Sequence, residues 1–471
     1  MVFQNDILAG SSGASGTSTA VHTIDQSIRF NDDDSPYMYK AFSGAGDLQK
    51  ATMSCWLKMG NISTNKGIFT FISDKPLELD SNNNLKVHAF GSNRLITDRE
   101  FRDPSAWYHI VLSIDSTQAV STERIRLYVN GQRETSFSTE SYPSQNTNGS
   151  WWSSNFFQIG RTYGTSNYMD GYLAEIVYID GTALDPSSFG EYNSSGIWIP
   201  KDVSGLTFGT NGFYIKGEDS SDLGNDSSGN GNDFTTSGLA SHDQMVGESP
   251  TNNFAVINSL IPSTVTYSEG NLKSVISANE STSATMGASS GKWYFEVYVN
   301  TVGSAYLGIC SNQTTNFTSW IGQPEGVGCN ASAGDIYISN PTPASTSFEG
   351  LPTYTSSDII GIAFDVDNQK MWWSKNGQWY SGNSASESTI NISDVEAGNN
   401  AFDFSYINEQ FILPMLGTSN TGSTTTCNFG QDGTFAGNVT AGGNSDGNGI
   451  GNFKYSVPSG YLALCTKNLG S

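Results

Sequence analysis

No stretch of this chain repeats its apolar residues with the 3.6-residue period of a helix. From Ser27 onward it offers short runs that alternate apolar and polar side chains, divided by polar turn clusters. A strand sends successive side chains to opposite faces, so such runs are half-buried strands, and many of them in series predict a sandwich or barrel. They lie at 27–30, 51–59, 67–73, 85–90, 107–114, 125–129, 155–159 and 171–179, then at 292–299, 305–311, 326–329, 359–365, 369–374, 412–416 and 424–429. Asn130-Gly131, Asp180-Gly181 and Asn376-Gly377 read as hairpin turns, because both residue types tolerate positive φ.

The fold class expected is therefore all-β: two antiparallel β-sandwiches joined by an irregular connector. The boundaries read are a Gly/Ser-rich N-terminal arm over 1–25, a sandwich over 26–199, a connector with one or two strands over 200–262, and a second sandwich over 263–471. Aromatic content of 12%, with 10 Trp, 21 Tyr and 25 Phe, gives both sandwiches a core and argues against disorder.

Charge excludes partners. Twenty-two basic residues against 45 acidic ones leave a net charge of −23, the wrong sign for nucleic acid or an anionic membrane surface. No run approaches the ~20 apolar residues of a membrane span, so no membrane insertion is expected. The segment up to Ala20 lacks the basic and apolar regions of a secretory signal, so folding in a cytoplasm is expected. Five Cys, at 55, 310, 329, 427 and 465, are widely spaced with no CxxC and read as buried core residues.

Few chemical motifs are present. His22, His88, His109 and His242 show no metal spacing, and there is neither a G-x-S-x-G elbow nor a phosphate-binding P-loop. No cofactor is expected. Trp151 and Trp152 stand in a polar surround, Asn148-Gly149-Ser150-Trp151-Trp152-Ser153-Ser154. Two readings stay open for the pair: a strand entry buried in the core, or exposed rings that stack on a sugar.

Gly291-Lys292-Trp293-Tyr294-Phe295-Glu296-Val297, Leu307-Gly308-Ile309, Ile360-Gly361-Ile362-Ala363-Phe364-Asp365, Trp372-Trp373-Ser374-Lys375-Asn376-Gly377 and Cys427-Asn428-Phe429-Gly430, in that order, resemble a SPRY domain. Thr52-Met53-Ser54-Cys55-Trp56-Leu57-Lys58, Trp107-Tyr108-His109-Ile110-Val111-Leu112, Leu127-Tyr128-Val129-Asn130-Gly131 and Gly171-Tyr172-Leu173-Ala174-Glu175-Ile176-Val177-Tyr178 resemble a concanavalin A/laminin G-like jelly roll. The tandem, with Asp226-Ser227-Ser228-Gly229-Asn230-Gly231-Asn232-Asp233 between, is similar to virion proteins of tailed bacteriophages.

That resemblance implies a non-enzymatic virion protein, assembled in the host bacterial cytoplasm, whose partners are other virion proteins and a host-surface glycan. One implied role is a tail appendage of fibre or knob type that helps recognise the host. The other is a capsid or tail decoration or connector that touches only virion proteins. A polysaccharide hydrolase is the third reading: jelly-roll glucanases carry E-x-D-x-x-E on one strand, and Glu175-Ile176-Val177-Tyr178-Ile179-Asp180 lacks that spacing. The resemblance makes Trp320, Tyr354 and Trp379 candidates for a binding rim. It also makes calcium a candidate ligand, with Asp32-Asp33-Asp34 and the loop from Asp226 to Asp233 as the densest acidic loops and Asp32, Asp33 and Asp34 as the candidate ligands.

Sandwich sheets have edges to manage, and this chain has only 14 Pro and few Lys to blunt them. The arm carries free backbone donors and acceptors that can add to a neighbour's sheet, which predicts a homo-oligomer or a virion-bound copy. Deleting residues 2–25 is expected to leave both sandwiches folded and to abolish incorporation into particles, scored by quantitative blotting of purified particles. Full incorporation of the truncated chain would exclude the arm as anchor.

Overall fold

In the computed structural model, residues 22–151, 156–164, 167–339, 343–345, 350–407 and 411–470 are described. The chain divides into two compact units between Asn252 and Asn253. It is 42% strand and 5% helix, and no described helix is long and apolar enough to cross a membrane.

The first unit is a sandwich of two eight-stranded sheets. The first sheet runs, in spatial order, Gln132–Arg133, Ile125–Val129, Trp107–Asp115, Lys50–Met59, Gly171–Asp180, Gln26–Phe30 and Gln244–Val246, with Phe213–Ile215 also paired to Gly171–Asp180. The second runs Phe137–Glu140, Ser92–Glu100, Asn84–Ala89, Lys75–Leu79, Lys66–Phe71, Phe156–Ile159, Tyr37–Ala41 and Thr235–Ser237. Their facing sides supply the core, including Met53, Cys55, Leu57, Ile110, Leu112, Leu173 and Ile176 from one sheet and Met38, Phe69, Leu77, Leu85, Val87, Leu95 and Phe157 from the other.

Residues 200–252 complete both of these sheets with three short strands, Phe213–Ile215, Thr235–Ser237 and Gln244–Val246. The segment's apolar residues enter the sandwich, with Phe213, Ile215, Leu223 and Phe234 in the core, and buried ion pairs fix its last residues. Arg29 and Asp243 meet at 3.1 Å, and Lys58 and Glu248 also at 3.1 Å, all four nearly fully buried. The Trp107 indole N–H donates to the same Glu248 carboxylate at 2.8 Å. Removing one partner of such a pair strands a buried charge, which costs about 3–5 kcal/mol.

Asn130-Gly131 and Asn376-Gly377 do form the expected hairpins, both residues of each pair at positive φ. Asp180-Gly181 does not. The Asp180 carboxylate instead accepts the backbone N–H groups of Asp47 and Asn211, so it pins neighbouring loops rather than returning the strand on itself.

The second unit packs a ten-stranded sheet, centred on Lys292–Thr301, Ile359–Asp365 and Lys370–Lys375, on a six-stranded sheet centred on Ile412–Thr418, Ala305–Ser311 and Gly326–Asn330. All five cysteines are buried, as expected of core residues. Glu296 is buried, and among the described residues no cation stands at its side. It accepts hydrogen bonds from the Tyr294 hydroxyl (3.0 Å), the Asn428 amide (3.2 Å) and the backbone N–H groups of Lys454 and Tyr455 (2.8 Å each). This carboxylate ties the returning C-terminal segment to the sheet.

Burial pushes the Glu296 carboxyl up to about 7, the four donors only partly offsetting it. Its folded-state value lies above the unfolded one, so between about pH 4.5 and 7 the folded chain holds a proton that the unfolded chain has lost. That stability contribution is present at acidic pH and is lost as pH rises through this window. Thermal melts should therefore show a smaller decline from pH 4.5 to 7.5 in Glu296→Gln than in the parent. Parallel pH profiles for the two proteins would contradict the assignment.

Candidate functional site

The second sheet of the first unit presents an aromatic surface on the side away from its core. In the strand Tyr37–Ala41, Met38 is fully buried, which sends Tyr37 and Tyr39 to the outer face. In Phe156–Ile159, Phe157 and Ile159 enter the core, leaving Phe156 and Gln158 outside. Tyr39 lies directly opposite Gln158 and stacks on Phe156 with ring centroids 5.7 Å apart. Tyr37 sits 5.8 Å from Tyr39 and 6.5 Å from Tyr168, and Tyr163 meets Phe156 edge-on at 5.9 Å. All five rings are half-buried or exposed.

Arg161 joins them. Its guanidinium carbon lies 3.9 Å from the centre of the Tyr37 ring and 5.8 Å from that of Tyr168, within the reach of cation–π attraction. The loop that carries it is pressed onto the sheet. Thr70 donates to the Arg161 carbonyl at 2.7 Å and Thr162 donates to Glu78 at 2.9 Å. Gly67 makes the close approach feasible: a Cβ there would come within 2.4 Å of the Arg161 and Thr162 backbone. The Arg161 guanidinium holds the Tyr168 hydroxyl below the usual phenol range, with a second hydrogen bond from Ser35. The Gln158 side-chain oxygen is buried and has no hydrogen-bond partner among the described residues.

The same face turns polar toward its other edge. Glu78 pairs with Lys86 at 3.3 Å, and beyond them an open groove of 460 Å³ is lined by Ser81, Asn82, Asn84, Asp98, Glu100 and Ser138 among others.

The residues singled out from sequence fare differently. Trp151 is fully buried: its indole N–H donates to the Asp47 carbonyl at 3.2 Å and its ring packs edge-on against Phe90 at 4.9 Å. It fills the core and offers no face to a ligand. Trp152 lies outside the described residues. Tyr354 is likewise a core residue, its hydroxyl 3.0 Å and 2.9 Å from the carbonyls of Ala305 and Cys329, so it is not part of a rim. Trp379 is 3% exposed and packs against Tyr294, though an edge borders a 320 Å³ groove shared with Gln378, Ile390 and Tyr455. Trp320 stays half-buried, in a cluster with Tyr306 and Tyr337 at 4.6 Å and 5.2 Å.

Asp32, Asp33 and Asp34 form a single helical turn. Asp32 accepts from the Asn61 amide and Asp34 from the Asn31 amide, each at 2.8 Å, so hydrogen-bond donors stand where a cation would. Among the described residues no group of three or more His, Cys, Asp or Glu side chains is placed to hold a metal ion, so Asp32, Asp33 and Asp34, the candidate calcium ligands, do not converge.

Two arrangements resemble catalytic ones and fail on chemistry. The Ser54 hydroxyl lies 2.9 Å from His109 Nε2, but the Trp198 indole N–H donates to Nδ1 at 2.9 Å. The proton of the neutral ring is therefore on Nε2, and the imidazole donates to Ser54 instead of accepting from it. Burial holds His109 down to about 3, which keeps it neutral. Glu175 sits in a β-bulge at positive φ, its carboxylate hydrogen-bonded by the Tyr214 hydroxyl and 3.7 Å from His22. Its would-be partner Asp180 is occupied by backbone N–H groups.

Sequence reasoning looked for Trp on loops and missed the Tyr-Met-Tyr alternation of residues 37–39, which already places two rings on one side of a strand. Melting curves separate the two classes of aromatic residue. Trp151→Ala should cost about 3–5 kcal/mol as a large core truncation. Tyr39→Ala should cost about 1 kcal/mol or less, as a surface change. Equal losses would mean that the outer rings are structural.

Residues 32–187 match a laminin G family described as the concanavalin A-like lectin/glucanases superfamily, and residues 292–390 match the SPRY domain family. A concanavalin A/laminin G-like domain is thus followed by a SPRY domain. Among solved structures, the chain is similar to the SPRY domain of human HERC1 at 13% identity, covering 36% of this chain and 96% of that one with a TM-score of 0.27. It is also similar to a Bacteroides ovatus protein named for carbohydrate binding, at 16% identity and a TM-score of 0.32, covering 46% of this chain and 58% of that one. No curated protein matches the chain.

Proposed function

We propose that this chain is a non-enzymatic recognition protein that holds carbohydrate on the outer face of the second sheet of its first unit. The observation that carries the reading is the aromatic surface of Tyr37, Tyr39, Phe156, Tyr163 and Tyr168 around Arg161, set on a lectin-like sandwich. A sugar ring has an apolar C–H face and a hydroxyl rim. Tyr rings match the first by flat contact and the second through their hydroxyls. We place the protein on the virion of a tailed bacteriophage, as a tail appendage contacting a host-surface glycan. The order of the two domains and their linker supports that placement.

A decoration or connector role, binding only virion proteins, draws on a different feature. Val246 is 52% exposed on the terminal strand of the first sheet, and such an edge is open to pairing with another chain.

The test is titration of the full chain with polysaccharide extracted from host envelopes. Tyr39→Ala with Phe156→Ala should weaken binding by about tenfold or more, that is by about 1.4 kcal/mol, while the melt stays cooperative and no reducing ends are released. Unchanged affinity in the double variant would reject this face. Release of reducing ends would reject the non-enzymatic reading.

A further inference from the structure

Resting on that reading, we infer that the sugar held against these rings carries a carboxylate, that Arg161 binds it, and that such acidic sugars are spaced by neutral ones along the glycan. The chain has eight arginines, all between residues 29 and 161. Five of them, Arg29, Arg99, Arg102, Arg126 and Arg133, lie within 3.3 Å of a carboxylate of the chain. Arg94 and Arg124 spend their N–H groups on backbone carbonyls. Arg161 is the exception. Among the described residues neither a carboxylate nor a carbonyl meets its guanidinium, and its Nε–H is buried without a partner.

What Arg161 does meet is aromatic. Its guanidinium lies 3.9 Å from the centre of the Tyr37 ring and donates to the Tyr168 hydroxyl, and the side chain is half-buried. A guanidinium is a planar fork of N–H donors, and one phenol oxygen leaves most of that fork unclaimed. Carboxylates are in surplus in this chain, 45 acidic residues against 22 basic, so the open fork reflects placement and not supply. Its orientation is set before any ligand arrives: Arg161 and Tyr168 form a β-bridge that closes their loop, and Thr70 holds the Arg161 carbonyl at 2.7 Å. A fork fixed in this way takes a carboxylate through two parallel N–H···O bonds and loses little side-chain freedom in doing so.

The rings stand beside this fork. A sugar seated on Tyr39 lies one ring's spacing, 5.8 Å, from the Tyr37 ring that carries the guanidinium, which is within reach of a carboxylate on that sugar. A neutral sugar in the same place leaves the fork to water. One fork answers one carboxylate. The net charge of −23 opposes, at long range, a polymer charged at every sugar, whereas a glycan with acidic sugars at intervals meets the local cation with less of that repulsion.

The experiment measures binding of the full chain to sialyllactose, hyaluronan tetrasaccharide and aldotetraouronic acid, each beside its carboxyl-reduced neutral form, with tetragalacturonate as the densely charged comparison. At least one of the three acidic fragments should bind about tenfold or more tighter than its reduced form, and tighter than tetragalacturonate. Tyr39→Ala should weaken both forms. Arg161→Gln should bring the acidic form down to the affinity of the reduced one while the melt stays cooperative. The comparison of acidic with reduced forms on the parent chain needs no variant, so it decides the matter even where Arg161→Gln does not fold. Three results would overturn the inference while leaving the face a carbohydrate site: reduced forms binding as tightly as acidic ones, a preference for the acidic form that survives Arg161→Gln, or tetragalacturonate binding most tightly. Binding of no fragment, acidic or reduced, or binding that ignores Tyr39→Ala, would reject the proposed function itself.

Discussion

The fixed alternation of a β-strand is the constraint on which the first unit depends. Met38, Phe157, Ile159, Leu77, Leu85 and Leu95 must all reach one core, and each commits its neighbours to the opposite side. A slip of one residue in Tyr37–Ala41 would expose Met38 and bury two tyrosines, so core packing and surface chemistry are set by the same register. The aromatic band is therefore as rigidly specified as the core behind it.

The two sheets of this unit use that property differently. The outer face of the first sheet is itself covered: Val111, Tyr128, Val177 and Ile179 pack beneath Phe189, Val203 and Phe208 from the segment that follows it. A second set, Trp56 and Ala174, is covered by Ile24, with Trp198 alongside. Long-range polar contacts reinforce this cover, from the Lys58–Glu248 pair to the Trp198–His109–Ser54 chain. The second sheet carries its rings in contact with the loop of Arg161, which Gly67 admits close to the backbone.

Much of the architecture was legible in the sequence because strands and tight turns are local. Lys50–Met59, Trp107–Asp115 and Gly171–Asp180 declare themselves by apolar runs, and the two Asn-Gly hairpins by their φ requirements. Ser92–Glu100 escaped because only Leu95 and Thr97 of its nine residues are buried, so its pattern is nearly all polar. The connector read over 200–262 hides its strands because Phe213–Ile215, Thr235–Ser237 and Gln244–Val246 are three residues each, too short to show an alternation, and the buried ion pairs that fix the segment are invisible without the tertiary fold. The site was hardest to see. For Trp151 the polar neighbours left a core and an exposed reading open and the core one holds, whereas Tyr37 lies far in sequence from Phe156 and Tyr168 and comes beside them only through the fold.

The central claim is that carbohydrate occupies this outer face, and hydroxyl-radical footprinting with and without bound polysaccharide tests it most directly. The account predicts protection confined to peptides carrying Tyr37, Tyr39, Phe156, Tyr163 and Tyr168, with Tyr192, exposed elsewhere on the first unit, still oxidised at its free rate. Protection centred on Trp379 and Tyr455 of the second unit, with the five rings of the first unit unchanged, would contradict it.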